Sequence, residues 1–390
     1  MRVAFPLIGG DDWTGGRNYL LNLIRALATH PPGALTPVLF FGGDVAAEET
    51  DPFARLPGVE LVQTSALDRD RRMRSLALSL AFGADGAIKH LLADRRIDVV
   101  FEAAQFFGAR LNIPAIAWLS DFQHRHLPRH FSPFARFKRE LGFRAQIAAG
   151  RMVMLSSDDA CKDCERFYPA TKGRTHTVHF AVPPPAPMEA DAVRSIADSY
   201  GLSQDFFYLP NQFWLHKNHM LVADALALLR QQGRRVMVVA SGNTRDPRAP
   251  QHYERLCERI RALGVEEDFR LLGLIPYEHL GALMRASTAL LNPSLFEGWS
   301  TTVEEARALG VPLILSDLSV HREQAGDGAS YFDRSSATSL AEVLAGFRPL
   351  PAEERGRRSK EAAADAESRF SAFAQEFVAV ARRCFAGGSI

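Results

Sequence analysis

Cysteine is scarce: Cys161, Cys164, Cys257 and Cys384 are the only four in 390 residues. That is too few for a secreted fold stapled by disulfides, and a reducing compartment fits such usage. Net charge is nearly absent too. Forty-six Lys and Arg against 45 Asp and Glu leave +1, so no global basic field exists to neutralise a nucleic-acid backbone, and nucleic acid is not an expected partner. No apolar run approaches the ~18–20 residues that cross a bilayer. The apolar start at residues 2–8 ends in Gly9-Gly10-Asp11-Asp12, without a small-residue cleavage site, and reads as a buried strand rather than a signal segment. These absences lead to the expectation of a cytoplasmic protein. The rest is ordinary: 47% hydrophobic and 23% charged residues describe a globular chain and exclude disorder and collagen-like repeats. The length exceeds the ~250–300 residues at which single cores stop growing, so two domains are expected.

Continuous apolar runs at residues 2–8, 37–41, 59–62, 98–101, 115–119 and 153–155 predict strands covered on both faces, as in a parallel sheet. Residues 19–28 carry helical apolar spacing behind Gly15-Gly16, giving strand, glycine turn, helix. The segment PPPAP at 183–187 can be neither helix nor central strand, so a stiff connector divides residues 1–182 from 183–367. Beyond it the pattern restarts, with strands expected at 206–209, 235–240, 269–272, 289–291 and 312–316 and helices at 219–230 and 253–263. Phe370, Phe373, Phe377, Val378 and Val380 make residues 368–390 an amphipathic closing helix, expected to pack back on the first domain. The predicted fold class is α/β, two Rossmann-like parallel-sheet domains facing across a cleft, with ligands at the carboxyl ends of the strands.

The stretch from Asn292 to Ala306, NPSLFEGWSTTVEEA, follows a predicted strand and opens a helix with Gly310 as its C-cap. A turn of Gly298, Trp299, Ser300, Thr301 and Thr302 at a helix start offers backbone N–H groups and hydroxyls where the macrodipole favours negative charge, which suits a diphosphate. Glu297 precedes the helix and Glu305 lies within it, so they reach different parts of one ligand, a reacting group and a sugar hydroxyl. The frame EGWSTTVEEA, with seven residues between Glu297 and Glu305, resembles the E-x7-E signature of the retaining GT-B glycosyltransferases of family 4. That resemblance implies a donor-sugar role for Glu297 and a nucleotide-ribose role for Glu305. Adjacent Glu304, at the wrong spacing, reads as a solvated helix residue.

A second match is Asn211 to His219, NQFWLHKNH, directly after a predicted strand. Lys217 can there neutralise a leaving diphosphate. Members of the family usually carry an Arg where this chain has Gln212, so His216, or an arginine such as Arg17, is a candidate substitute. Thr14-Gly15-Gly16-Arg17 resembles the glycine loop that approaches donor phosphate and acceptor, and Gly273-Leu274-Ile275-Pro276 resembles the loop beside the nucleobase. Around Asp121 the family places a histidine at what aligns with Ser120; His124 and His126 are the candidate replacements, against the alternative of surface or core histidines. Glu323 is a further candidate donor contact.

From Asp121 to Arg151 seven Lys and Arg face two acidic residues, interleaved with Phe131, Phe134, Phe137 and Phe143. One reading is a peripheral contact with an anionic membrane or a lipid-diphosphate acceptor. The favoured one is a solvated helix whose phenylalanines face the core. Cys161-Lys-Asp-Cys164 lacks a second Cys/His pair for a zinc site. The resulting expectation is a retaining glycosyltransferase that uses a nucleotide-diphosphate sugar and a saccharide or lipid-linked acceptor, with no cofactor and no metal. Catalysis falls to Glu297, Lys217, Asp121 and His124, and the setting implied is bacterial surface-polysaccharide or glycolipid assembly. The alternatives are a GT-B-shaped sugar-nucleotide epimerase and a non-catalytic sugar-nucleotide-binding subunit.

Overall fold

Neither face of a parallel sheet meets water, and the continuous apolar runs fold accordingly. The computed structural model describes residues 1–8, 14–29, 33, 35–103 and 105–388. Among them two sheets form, with every pairing parallel. The first contains β1 (Arg2–Pro6), β2 (Thr36–Phe41), β3 (Glu60–Gln63), β4 (Val99–Ala103), β5 (Ala115–Trp118), β6 (Met152–Leu155) and β7 (Thr175–Thr177), in the order β3-β2-β1-β4-β5-β6-β7. The second contains β8 (Phe207–Leu209), β9 (Val238–Ala240), β10 (Phe269–Leu271), β11 (Ala289–Asn292), β12 (Leu313–Ser316) and β13 (Ala329–Phe332), in the order β10-β9-β8-β11-β12-β13. The strands that sequence reasoning missed, β7 and β13, are both edges. β7 reads Thr-His-Thr with no buried residue, and β13 buries Phe332 alone, so neither shows a continuous apolar run.

The chain divides into two compact units, Met1–Phe122 with Ser132–Ala181 and Ser368–Ile390, and Gln123–Phe131 with Val182–Glu367. Residues 178–189, which include the prolines, carry neither helix nor strand. In the first unit an aromatic core joins sheet and helices: Phe5 of β1 lies 5.5 Å from Phe101 of β4 and 5.6 Å from Phe377, and Tyr19 stacks on Trp118 at 4.0 Å. Phe377 belongs to a 36-residue helix, Ala352–Gly387, which begins well before the amphipathic segment. Residues 352–367 are charged and alanine-rich, good helix formers without an apolar stripe, so periodicity does not reveal them.

Two expectations fail here. Gly15 and Gly16 are not a loop but the first turn of the helix Thr14–Thr29, and residues 9–13 lie outside the described residues. In the helix Pro133–Ala148 only part of the aromatic set faces the core: Phe143 packs on Phe122 at 5.8 Å, whereas Phe134 and Phe137 are 75% and 64% exposed.

At the carboxyl end of β4, buried Glu102 accepts from Arg151 Nη2 at 2.9 Å and Nε at 3.1 Å, and Arg151 also donates to the Gly108 carbonyl at 2.7 Å. Removing one partner of such a pair leaves a charge buried without compensation. Arg151→Met is expected to destabilise the protein by about 3–5 kcal/mol. The double variant Glu102→Leu/Arg151→Met should lie closer to the wild type in urea unfolding.

Candidate active site

The second sheet grows in one direction through β8, β9 and β10 and in the other through β11, β12 and β13. Its switch point lies between β8 and β11, where chains leaving the two carboxyl ends diverge and open α/β sheets bind ligands. Lys217 follows β8 and Glu297 follows β11. Lys217 Nζ lies 2.6 Å from Glu297 Oε1, with side-chain exposures of 13% and 8%.

Backbone and amide bonds join the two loops. Asn218 adopts left-handed geometry at φ 61°, and its Nδ2 donates to the carbonyls of Pro293 at 3.1 Å and Arg334 at 3.0 Å. The Leu295 N–H donates to the His216 carbonyl at 2.8 Å. Beneath the ion pair, Ser294 Oγ sits 2.7 Å from Glu297 Oε1 and 2.6 Å from Asn292 Oδ1; its single proton serves one of them at a time. Asn292 Nδ2 donates to Ser300 Oγ at 2.9 Å, directly before the helix Thr301–Leu309, and Thr302 Oγ1 donates to Asn211 Oδ1 at 3.2 Å. Gly242, after β9, comes so close to this floor that a Cβ would stand 2.5 Å from the Asn211 carbonyl oxygen, and its φ of 155° suits glycine.

Of the two adjacent glutamates, the one expected in solvent is the buried one. Glu304 is not solvated: it is fully buried, bound by Arg307 at 2.7 Å and by Gln324 Nε2 at 2.9 Å, and Gln324 also donates to the Ser300 carbonyl at 2.8 Å. It braces the turn from behind. Glu305 is half-buried, accepts from Tyr277 at 3.3 Å, and is pushed up to about 7 by burial, with the tyrosine bond opposing. Gly273 at φ 68° turns the chain so that Leu274 is 76% exposed while Ile275 packs into the core.

The two suggested substitute cations have their own surroundings. Burial holds the His216 imidazole well below its ordinary value, and the Lys217 charge adds to this; Arg17, in the first unit, is ion-paired with Glu49 at 2.5 Å. The cation beside His216 is Arg248, which sequence reasoning missed. Its guanidinium lies 3.5 Å from His216 Nδ1, donates to Gln123 at 2.8 Å, and covers the rings of Phe131 and Trp214 at 5.0 and 5.5 Å. It thereby ties the segment Gln123–Phe131 into the second unit. Buried His321 was also missed: its Nδ1 lies 3.0 Å from the Ser316 carbonyl, its Nε2 has no partner among the described residues, and Glu297 and Lys217 both act on its charge.

The remaining predicted residues fall as follows. Gly298 and Trp299 are half-buried and Thr301 is exposed. Gln212 Oε1 accepts from the Asn243 N–H at 2.8 Å. His124 is 3% exposed, its ring nearly perpendicular to that of Phe131, and His126 lies 5.0 Å from the Phe296 ring. Asp121 belongs to the first unit and is ion-paired with Arg139 at 2.7 Å. Gly16 is buried and Gly15 exposed. Cys161 and Cys164 lie in the helix Asp158–Phe167, and burial pushes both thiols up to about 11.

Residues 200–364 match the family model described as glycosyl transferases group 1. That segment holds Lys217, Glu297 and Glu305. A stretch of 112 residues is 32% identical to EpsF of Bacillus subtilis and covers 29% of this chain and 27% of that protein, so the match spans about a quarter of the curated relative. Over the whole chain the fold matches GT-B glycosyltransferase structures. A glycosyltransferase from Rickettsia africae has a TM-score of 0.72 at 14% identity, with 98% of this chain and 97% of that one covered. Sucrose-phosphate synthase from Thermosynechococcus elongatus has 0.68 at 15% identity, with 99% of each chain covered. HepE from Anabaena, crystallised with UDP and glucose, has 0.65 at 16% identity, with 99% and 98% covered. The chain is therefore glycosyltransferase-like in fold and in the family match of its second unit.

The raised Glu305 carboxyl has a measurable consequence. The folded chain keeps that proton to about 7, while the unfolded chain releases it near the ordinary 4.5. Its stabilising contribution is fully present below the lower value and is lost as pH rises to the higher one. Melting temperatures of the wild type should show this loss between those two values, and Glu305→Gln should remove it.

Proposed function

We propose that this chain is a retaining glycosyltransferase of the family 4 type, transferring a sugar from a nucleoside-diphosphate sugar to an acceptor hydroxyl. One observation carries the reading: Lys217 and Glu297 meet at 2.6 Å over the β8/β11 switch point, beside the N-terminus of the helix Thr301–Leu309. A point cation and first-turn N–H groups form a diphosphate cradle. A carboxylate held at its edge can face the sugar. The UDP and glucose bound by HepE, a protein of the same fold, support a nucleotide-sugar donor.

In this reading the bond from the anomeric carbon to the diphosphate oxygen breaks, and negative charge grows on the diphosphate. Lys217 and the backbone N–H groups stabilise that charge more in the transition state than in the ground state. The acceptor oxygen bonds to the anomeric carbon on the face the diphosphate leaves, its proton passes to a diphosphate oxygen, and configuration is retained. No protein nucleophile is assigned and no metal is given a part. A diphosphate carries more charge than Glu297 and competes with it for the ammonium; Glu297, braced by Ser294, then accepts from sugar hydroxyls. Glu305 takes the ribose and Leu274 borders the base. Asp121 keeps the catalytic part expected of it. The acceptor is a saccharide or lipid-linked, in surface-polysaccharide or glycolipid assembly.

A thermal-shift panel of UDP, GDP, ADP and dTDP sugars tests the reading, since the bound donor raises the melting temperature by mass action; no shift with any of them would count against it. With the donor identified, Glu297→Gln should lower transfer by ~10²–10³-fold while the melting temperature barely moves. Lys217→Ala should weaken nucleoside-diphosphate affinity by about tenfold or more in calorimetry. Equal affinities would remove Lys217 from the cradle.

A further inference from the structure

The buried residues of the helix Pro133–Ala148 of the first unit, Gln146 and Ile147, lie in its last turn. Every residue from Ser132 to Lys138 is exposed. Phe134, Phe137 and Leu141, at 75%, 64% and 45% exposure, stand at i, i+3 and i+7 and so form one stripe along the helix. This end is built to hold its shape. Ser132 caps it, its Oγ accepting from the Ala135 N–H at 3.1 Å, and Pro133 occupies the first helical position. Large rings displayed on a well-capped helix mark a contact surface.

The charge around the stripe selects the partner. Residues 132–139 read SPFARFKR, with three cations and no acid. Arg139 is engaged by Asp121 at 2.7 Å, while Arg136 and Lys138 flank the rings and are exposed. Protein interface cores are depleted in lysine. Aromatic anchors bordered by Lys and Arg are instead the composition of a helix lying in the headgroup layer of an anionic bilayer.

We propose that the stretch Phe134 to Leu141 of the helix Pro133–Ala148 docks this chain on an anionic lipid bilayer. Phe134, Phe137 and Leu141 enter the boundary between headgroups and acyl chains, and Arg136 and Lys138 meet lipid phosphates. The inference deepens the glycosyltransferase reading by giving a lipid-linked acceptor a route to the enzyme. It does not depend on that reading, because docking is measured without donor or acceptor.

The full chain is floated with vesicles of phosphatidylcholine alone and of phosphatidylcholine mixed with phosphatidylglycerol. It should float with the anionic vesicles only, and added salt should weaken the association. The variants Phe134→Ser/Phe137→Ser and Arg136→Glu/Lys138→Glu should each lose about tenfold or more in vesicle affinity. Their melting temperatures should be unchanged, since all four side chains are exposed. Absence of flotation on anionic vesicles, or equal flotation of the Phe134→Ser/Phe137→Ser variant and the wild type, overturns the proposal. A reversible dimer in sedimentation that the Phe134→Ser/Phe137→Ser variant abolishes assigns the stripe to a second copy of the chain and overturns it equally.

Discussion

The contact between Lys217 and Glu297 depends on a reversal in strand order. Because β9 and β10 are added on one side of β8, and β12 and β13 on the far side of β11, the loops leaving β8 and β11 are the two that diverge above the sheet. Each delivers one charge, and the two meet at 2.6 Å with little exposure. Such a pair gains from its mutual attraction only if the surrounding groups hold the geometry. That support comes from Asn218, which bonds from one loop to the other, and from Ser294, Asn292 and Ser300, joined by hydrogen bonds within the segment that carries Glu297.

A second layer holds the helix that faces the same spot. Buried Glu304, Arg307 and Gln324 close a network behind Ser300, so the start of the helix Thr301–Leu309 is fixed from the core side. This division explains why two consecutive glutamates behave differently. Successive residues on a helix point about a quarter-turn apart, so Glu304 enters the core and Glu305 stays at the edge beside Tyr277. In the same way Arg248 anchors Gln123–Phe131 through Gln123, Phe131 and Trp214, which explains why that segment groups with the second unit although the chain before and after it groups with the first.

The helix Pro133–Ala148 presents the opposite case, opening on a run, residues 132–138, that is exposed throughout. The sequence shows a basic and aromatic stretch there but not which rings are covered. Phe143 lies against Phe122, and Phe134 and Phe137 do not reach the core. Helical spacing alone cannot separate these outcomes, because it records which residues share a stripe and not what lies opposite the stripe.

The sequence by itself determined the parallel α/β class, most of the strands, the C-cap at Gly310 and the positions of Lys217, Glu297 and Glu305. Each of these is written in short-range signals: continuous apolar runs, glycine at a helix end, and a spaced motif. Only the tertiary structure decided that β7 and β13 close the sheets, that Glu304 is buried, that His216 is held neutral, and that Arg248 and His321 stand at the site. These depend on partners far along the chain, such as Gln123 for Arg248 and Glu297 for His321. Burial and long-range electrostatics arise from packing, and no local spacing encodes them.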